Sequence, residues 1–302
     1  MGEPSTVCLA VASFRYDDAA LALVESVLAA DTERLFDEIL IVDSMGTGRV
    51  PEAIAARGWD RVVYFDHDAN LGSAGNLARR LELGAERGHR WTYAVNHDGD
   101  VDVDVVRRLV EIGDTLGRVG AVYPLRYKVG RARYDLTGTQ RLPLPFRGTP
   151  ERPDAPLIDT YWGSSNATLY ASAPVREGLV PWADLWMGWE DLGYGWLLER
   201  HGYRQVIVTE VENRDPYEYA AHGAVVITDK PSWYAYYHVR NLILVTRRNR
   251  QPLSHWIAVA GRIALELGLT TALRPDKGAR YRLLASGVLD GLRGRSGKWR
   301  VP

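Results

Sequence analysis

Through its first ~140 residues this chain alternates short, β-rich apolar runs with helical patterns, and that alternation most constrains its fold. The run Ile39-Leu40-Ile41-Val42 contains no polar residue, as expected of a strand buried on both faces. Strands are expected over residues 7–13, 38–42, 61–65, 91–95 and 121–124, with helices over 19–30, 51–57, 74–87 and 104–116. The pattern predicts an α/β fold with a mainly parallel sheet flanked by helices. Ligands of such sheets bind at the carboxyl ends of the strands. Arg15, Asp43, Asp66 and Asp98 all fall at or just past those ends.

Residues 142–156 are rich in proline and read as a linker or surface loop. The expected organisation is an α/β half over 1–141, a second half of the same domain over 157–248, and a helical extension over 249–302.

Four segments could carry chemistry. Val42-Asp43 ends a strand in a carboxylate that can accept from a base N–H or ribose hydroxyls, or simply cap a turn. Asn70-Leu71-Gly72-Ser73-Ala74-Gly75 is a glycine-bearing turn opening a helix, where backbone can approach an anion. It matches neither the dinucleotide fingerprint nor a Walker loop. Asn96-His97-Asp98-Gly99-Asp100 follows a strand and sets two carboxylates one glycine apart. That spacing is ordinary turn chemistry, or it can share a hard cation such as Mn²⁺ or Mg²⁺ against a diphosphate. Trp189-Glu190-Asp191-Leu192 puts adjacent carboxylates at a helix start among tryptophans. A carboxylate there can complement the helix dipole or deprotonate a hydroxyl, and aromatic faces suit sugar rings.

Taken in this order, the segments resemble the inverting nucleotide-sugar glycosyltransferases of family two, which have the GT-A fold, and look closest to the rhamnosyl- and galactofuranosyl-transferase branch. The resemblance runs from Val7 to about Arg248, and Tyr236-Tyr237-His238-Val239-Arg240-Asn241 looks like an element of that branch. It implies nucleotide-sugar contacts at Arg15, Asp43, Asn70, Gly72, Gly75, Arg79 and Asp98. It also implies a metal at Asp98, Asp100 and His222, and catalysis by Asp191 with Glu190. Trp162, Trp186 and Trp189 are expected to shape the acceptor site. The implied reaction moves a sugar from a UDP- or dTDP-linked donor to a glycan, lipid-linked or small-molecule acceptor, with Mn²⁺ or Mg²⁺ as cofactor. The chain departs from the family pattern where Asn96 and His97 replace two aspartates, and where Ala78 stands in place of a common asparagine. Two rivals are a catalytically silent carbohydrate- or nucleotide-binding module and a sugar-1-phosphate nucleotidyltransferase. The glycine-rich loop typical of the latter is missing after the first strand, which reads Ser13-Phe14-Arg15-Tyr16.

Composition bounds the setting. With 46% hydrophobic and 25% charged residues the chain is an ordinary globular sequence. The single cysteine, Cys8, lies in an apolar run, excludes an intramolecular disulfide and fits a reducing compartment. No secretory pattern opens the chain, and apolar stretches such as residues 256–260 are too short to cross a bilayer. A cytoplasmic protein is expected. The total charge of −1 hides an asymmetry: the chain from Arg274 onward is +6, leaving −7 on the rest. Leu284, Val288 and Leu292 recur every four residues in that basic segment. Such a helix either makes peripheral contact with an anionic membrane surface or packs on its own domain. Nucleic acid is not an expected partner, because the aromatic residues lie elsewhere.

Overall fold

A computed structural model describes residues 6–144, 148–215, 220–222, 225–227 and 230–299. The first half runs β1 (Val7–Ser13), α1 (Asp17–Ala30), β2 (Glu38–Asp43), α2 (Arg49–Arg57), β3 (Val62–Asp66), α3 (Gly72–Glu86), β4 (Trp91–Asn96), α4 (Val103–Thr115), β5 (Val119–Lys128) and β6 (Arg133–Asp135). The second half runs β7 (Leu157–Asp159), β8 (Thr168–Ala171), α5 (Ser172–Arg176), α6 (Glu190–Arg200), β9 (Arg204–Asp215), β10 (Ala220–His222) and β11 (Val225–Ile227). Helices α7 (Tyr234–Arg248), α8 (Leu253–Leu273) and α9 (Lys277–Arg293) follow.

Both halves build one sheet in the order β3-β2-β1-β4-β8-β5-β9-β7, with β6 paired to β5. Strands β3, β2, β1 and β4 are parallel, whereas β8 runs antiparallel between β4 and β5. Neither β7 nor β8 is expected from sequence, since each is only three or four residues long and lacks an alternating pattern.

Burial on both faces explains the unbroken apolar runs. Val7, Leu9 and Val11 of β1 pack with α1 and α4, and Cys8 and Ala10 point to the α3 side. Cys8 is core filler: its Sγ–H donates to Thr92 Oγ1 at 3.5 Å, and burial pushes the thiol up to about 12, which leaves it inert.

One sequence expectation is overturned. Helix α8 has 21 residues and is long and apolar enough to cross a membrane by length and composition, with only 17% of its apolar window buried. Arg262 and Glu266 interrupt its apolar sequence, so no unbroken run of bilayer length stands out there. The basic helix α9 packs one face on α7, with Leu284, Gly287 and Gly291 buried, but leaves Leu292 59% exposed.

Candidate active site

The ends of the parallel strands are level: Ser13 pairs with Asp43, Asp43 with Asp66, and Ala12 with Asn96. Asp43 is fully buried and accepts from Met45 N–H at 3.0 Å and from Tyr64 OH at 3.3 Å. Burial raises its pKa, and Asp17 and Asp66 nearby push the same way. Arg15, exposed just past β1 with φ 62°, brings Nη2 to 4.0 Å from Met45 Sδ and so brackets the same corner.

Asp98 and Asp100 lie exposed beyond β4. His97 stacks on Tyr16 with centroids 4.7 Å apart, and its N–H donates to Ala12 O at 3.0 Å. Asn166 was missed by sequence reasoning. Its Oδ1 accepts from Asn96 N–H at 2.9 Å and ties the loop before β8 to the acidic turn.

Gly72 and Asn70 form the turn at the start of α3. Gly72 N–H donates to Asn70 Oδ1 at 2.9 Å, Trp186 Nε1–H donates to Asn70 O at 3.2 Å, and Ala74 N–H donates to Trp186 O at 3.2 Å. The turn is thereby bonded to the loop that leads into α6. Gly72 has φ +66°, and a Cβ there would come within 2.0 Å of Trp186 O. Only glycine meets both demands. Gly72→Ala should destabilise the protein by about 2–4 kcal/mol, read from urea melts. A loss below about 0.5 kcal/mol would show that the two segments are not locked together.

Gly75 serves packing, with Ala183 O 3.8 Å from where its Cβ would lie. Arg79 is held on the outer surface of α3 by Glu86 at 2.8 Å and Glu82 at 3.6 Å. Its neighbour Arg80 is buried, and its Nη1 donates to Ala10 O at 3.3 Å and Val95 O at 2.9 Å. Asn76 supplies a further tie, its Nδ2 donating to Val42 O at 2.9 Å.

Glu190 and Asp191 open α6 above this floor. Asp191 is half-buried and accepts from Leu192 N–H at 2.8 Å, while Glu190 is buried and its Oε2 has no partner among the described residues. Burial first and the Glu190 charge second push the Asp191 carboxyl up to about 7. Lys230, itself lowered by burial, has its Nζ 4.1 Å from the Tyr234 ring centre and is close enough to feel both carboxylate charges, and Tyr123, Tyr170 and Tyr234 are close enough to feel the Asp191 charge. A carboxylate held near neutrality in such a pocket is a competent general base.

The three tryptophans are less open than expected of sugar platforms. Trp186 is 8% exposed and packs on Tyr237 at 4.8 Å and Trp233 at 5.9 Å. Trp189 lies between His238 at 4.8 Å and the Arg262 guanidinium at 5.7 Å. Trp162 is half-buried against the α6–α8 cluster. His238 remains neutral, because burial first and Arg262 and Lys230 next lower it to about 3.

Among the described residues no group of three or more His, Cys, Asp or Glu side chains converges as a metal site. His222 lies on β10, and its side chain falls outside the described residues. Asp98 and Asp100 nevertheless fit a hard cation. Both are exposed carboxylates without a hydrogen-bond partner among the described residues, and Mg²⁺-type ions commonly use one or two carboxylates plus substrate phosphates.

No protein-family model matches the chain. A succinoglycan biosynthesis protein, ExoO of Rhizobium meliloti, is 34% identical over 116 residues, covering 38% of this chain. The chain spans about a third (32%) of the length of that relative. GalNAc-T7, in a structure with UDP, GalNAc and Mn²⁺, superposes with a TM-score of 0.61 at 13% identity over 82% of this chain and 48% of its own. Residues 1–349 of S. aureus TarS give 0.61 at 11% identity, covering 95% of this chain and 80% of theirs. The mannosyltransferase PcManGT of Pyrobaculum calidifontis, with GDP-Man and Mn²⁺, gives 0.57 at 15% identity, covering 95% and 86%. The nine-stranded sheet with its flanking helices is the fold of these GT-A-like glycosyltransferase structures.

Proposed function

We propose that the chain is an inverting, metal-dependent glycosyltransferase. It would move a sugar from a UDP- or dTDP-linked donor to a hydroxyl of a glycan, lipid-linked or small-molecule acceptor. One observation carries this reading. Asp191, poised near neutral pH, stands at the start of α6 on the loop that is bonded to the Asn70–Gly72 turn beside the strand ends. The ligands of the fold neighbours support it: UDP, GalNAc and Mn²⁺ with GalNAc-T7, UDP-GlcNAc with TarS, and GDP-Man and Mn²⁺ with PcManGT. The polysaccharide role in the name of ExoO agrees. A silent binding module has no need of a half-buried carboxylate held near pH 7.

In this mechanism Asp43 and Arg15 contact the nucleotide, and Asp98 with Asp100 would hold Mn²⁺ or Mg²⁺. When bound, the ion neutralises charge on the diphosphate. Asp191 takes the proton of an acceptor hydroxyl, whose oxygen attacks the anomeric carbon. The bond from that carbon to the diphosphate breaks, and the nucleoside diphosphate leaves with its electron pair. A single displacement inverts the configuration. Lys230 is near enough for its charge to offset part of the upward push on Asp191.

The test is a thermal-shift panel of UDP, dTDP, GDP and ADP, each with and without Mn²⁺. One nucleotide should raise the melting temperature only with metal, by mass action on the folded state. Asp98→Ala should abolish that metal-dependent increment and lower turnover by about 10²-fold or more. No shift for any nucleotide would return the chain to the binding-module reading.

A further inference from the structure

Helix α8 is inverted relative to an ordinary surface helix. Every exposed residue along it is uncharged, and Leu253 and Ile257 are 74% and 65% exposed. Its only charged residues, Arg262 and Glu266, face the protein instead. Arg262 lies over the Trp189 ring, and Glu266 approaches His238 Nε2 at 3.7 Å. Thr271 Oγ1 meets Tyr281 OH at 2.7 Å, which joins the end of this face to α9. The exposed side of α9 is apolar and basic: Leu289 and Leu292 stand out on a helix whose exposed charges, Lys277 at its start and Arg282 and Arg293 further along, are all cationic, with no exposed acidic residue. The Asp290 carboxylate is occupied by Tyr236 OH at 2.9 Å and by Arg295 at 3.2 Å.

We propose that the outer face of α8, with the adjoining edge of α9, docks on an anionic membrane surface. Apolar side chains flanked by cations without exposed acids suit a headgroup and acyl boundary. Two copies pressed together through the same face would oppose their α9 cations, whereas anionic lipid neutralises them. The helix lies on the surface rather than crossing it, because its flanking helices are packed together. Added Cβ atoms at Gly287 and Gly291 of α9 would come within 2.6 Å of Tyr236 O and 3.0 Å of Arg240 O on α7. The ends of α8 thus return to one body. Its inner face touches Trp189 and His238, and Trp189 directly precedes the Glu190–Asp191 pair, so α8 links the docked surface to the start of α6. On the transferase reading, that places a lipid-linked acceptor within reach.

The test is flotation of the full chain with phosphatidylcholine vesicles, with and without phosphatidylglycerol. Binding should appear with phosphatidylglycerol and weaken as salt rises. The double variant Ile257→Glu/Leu265→Glu should lower vesicle partition about tenfold while keeping the melting temperature, since both positions are exposed. Arg282→Glu/Arg293→Glu should weaken binding to anionic vesicles only. The proposal is overturned if the unsubstituted chain fails to float at low salt, if the double variant floats equally well, or if that variant instead dissociates a dimer that never floats. Flotation does not depend on turnover. A floating but inactive protein keeps this proposal and sinks the transferase reading, and an active protein that does not float does the reverse.

Discussion

Asp191→Asn should cut turnover by about 10²- to 10⁴-fold while the metal-dependent nucleotide shift survives. It should also make the protein more stable at pH 8. The two effects share one cause. Burial and the adjacent Glu190 raise the Asp191 carboxyl to about 7, whereas in the unfolded chain it titrates near ~4. Between those values the native state binds the extra proton. The contribution of this carboxyl to stability is therefore fully present below pH ~4 and is lost as pH rises through about 7. Above that range the ionised carboxylate is a native-state liability, relieved only in part by Lys230. An amide removes it, for a gain on the order of 1 kcal/mol, or about 2–4 °C in a chain of this size. On the transferase reading, turnover of the unsubstituted protein should accordingly rise with pH along a limb near 7, since a base at Asp191 works only when deprotonated. Near-normal activity in Asp191→Asn, or a flat profile between pH 6 and 8, would remove Asp191 as the base.

The parallel floor and its acidic strand ends were legible because a strand buried on both faces has to be apolar throughout. Asp43 and Asp98 stand out where such runs stop. What escaped the sequence depends on contacts between distant segments. Arg79 and Arg80 are adjacent, yet on a helix they point about 100° apart. Only packing reveals that Arg80 is the one buried against β1 and β4. Lys230 and Tyr234 lie about forty residues from Asp191 and meet it only after α7 folds back. Trp186 looks like a sugar platform in a motif, but Tyr237 and Trp233 cover it. In α8, composition concealed the geometry, since the two charges that make it look soluble are the two it turns inward.

Asn241→Ala should be the most damaging substitution outside the strand-end pocket. Its side chain is fully buried, and Nδ2 reaches Leu185 O at 2.9 Å, Met187 O at 2.7 Å and Gly188 O at 3.0 Å. Arg240 works with it. Its Nε donates to Asn241 Oδ1 at 2.8 Å, and its other nitrogens donate to Leu185 O at 2.8 Å and to Gly297 O at 2.6 Å. Together they grip the loop before Glu190–Asp191, in which Trp186 and Trp189 hold the left-handed φ values of 62° and 65°. Such strain persists only where the surroundings impose it. Without the amide, buried carbonyls lose their donors, at a cost of about 3 kcal/mol in stability. The relaxed loop should also carry Asp191 out of line, lowering kcat about 10²-fold with a much smaller change in the KM for donor. Rehydration of the displaced carboxyl should move the activity limb from about 7 towards the ordinary carboxylate range. That displacement distinguishes a positioning residue from one that merely stabilises the fold. A variant with the limb still near 7 and kcat within about twofold of the parent would make Asn241 a stability residue alone.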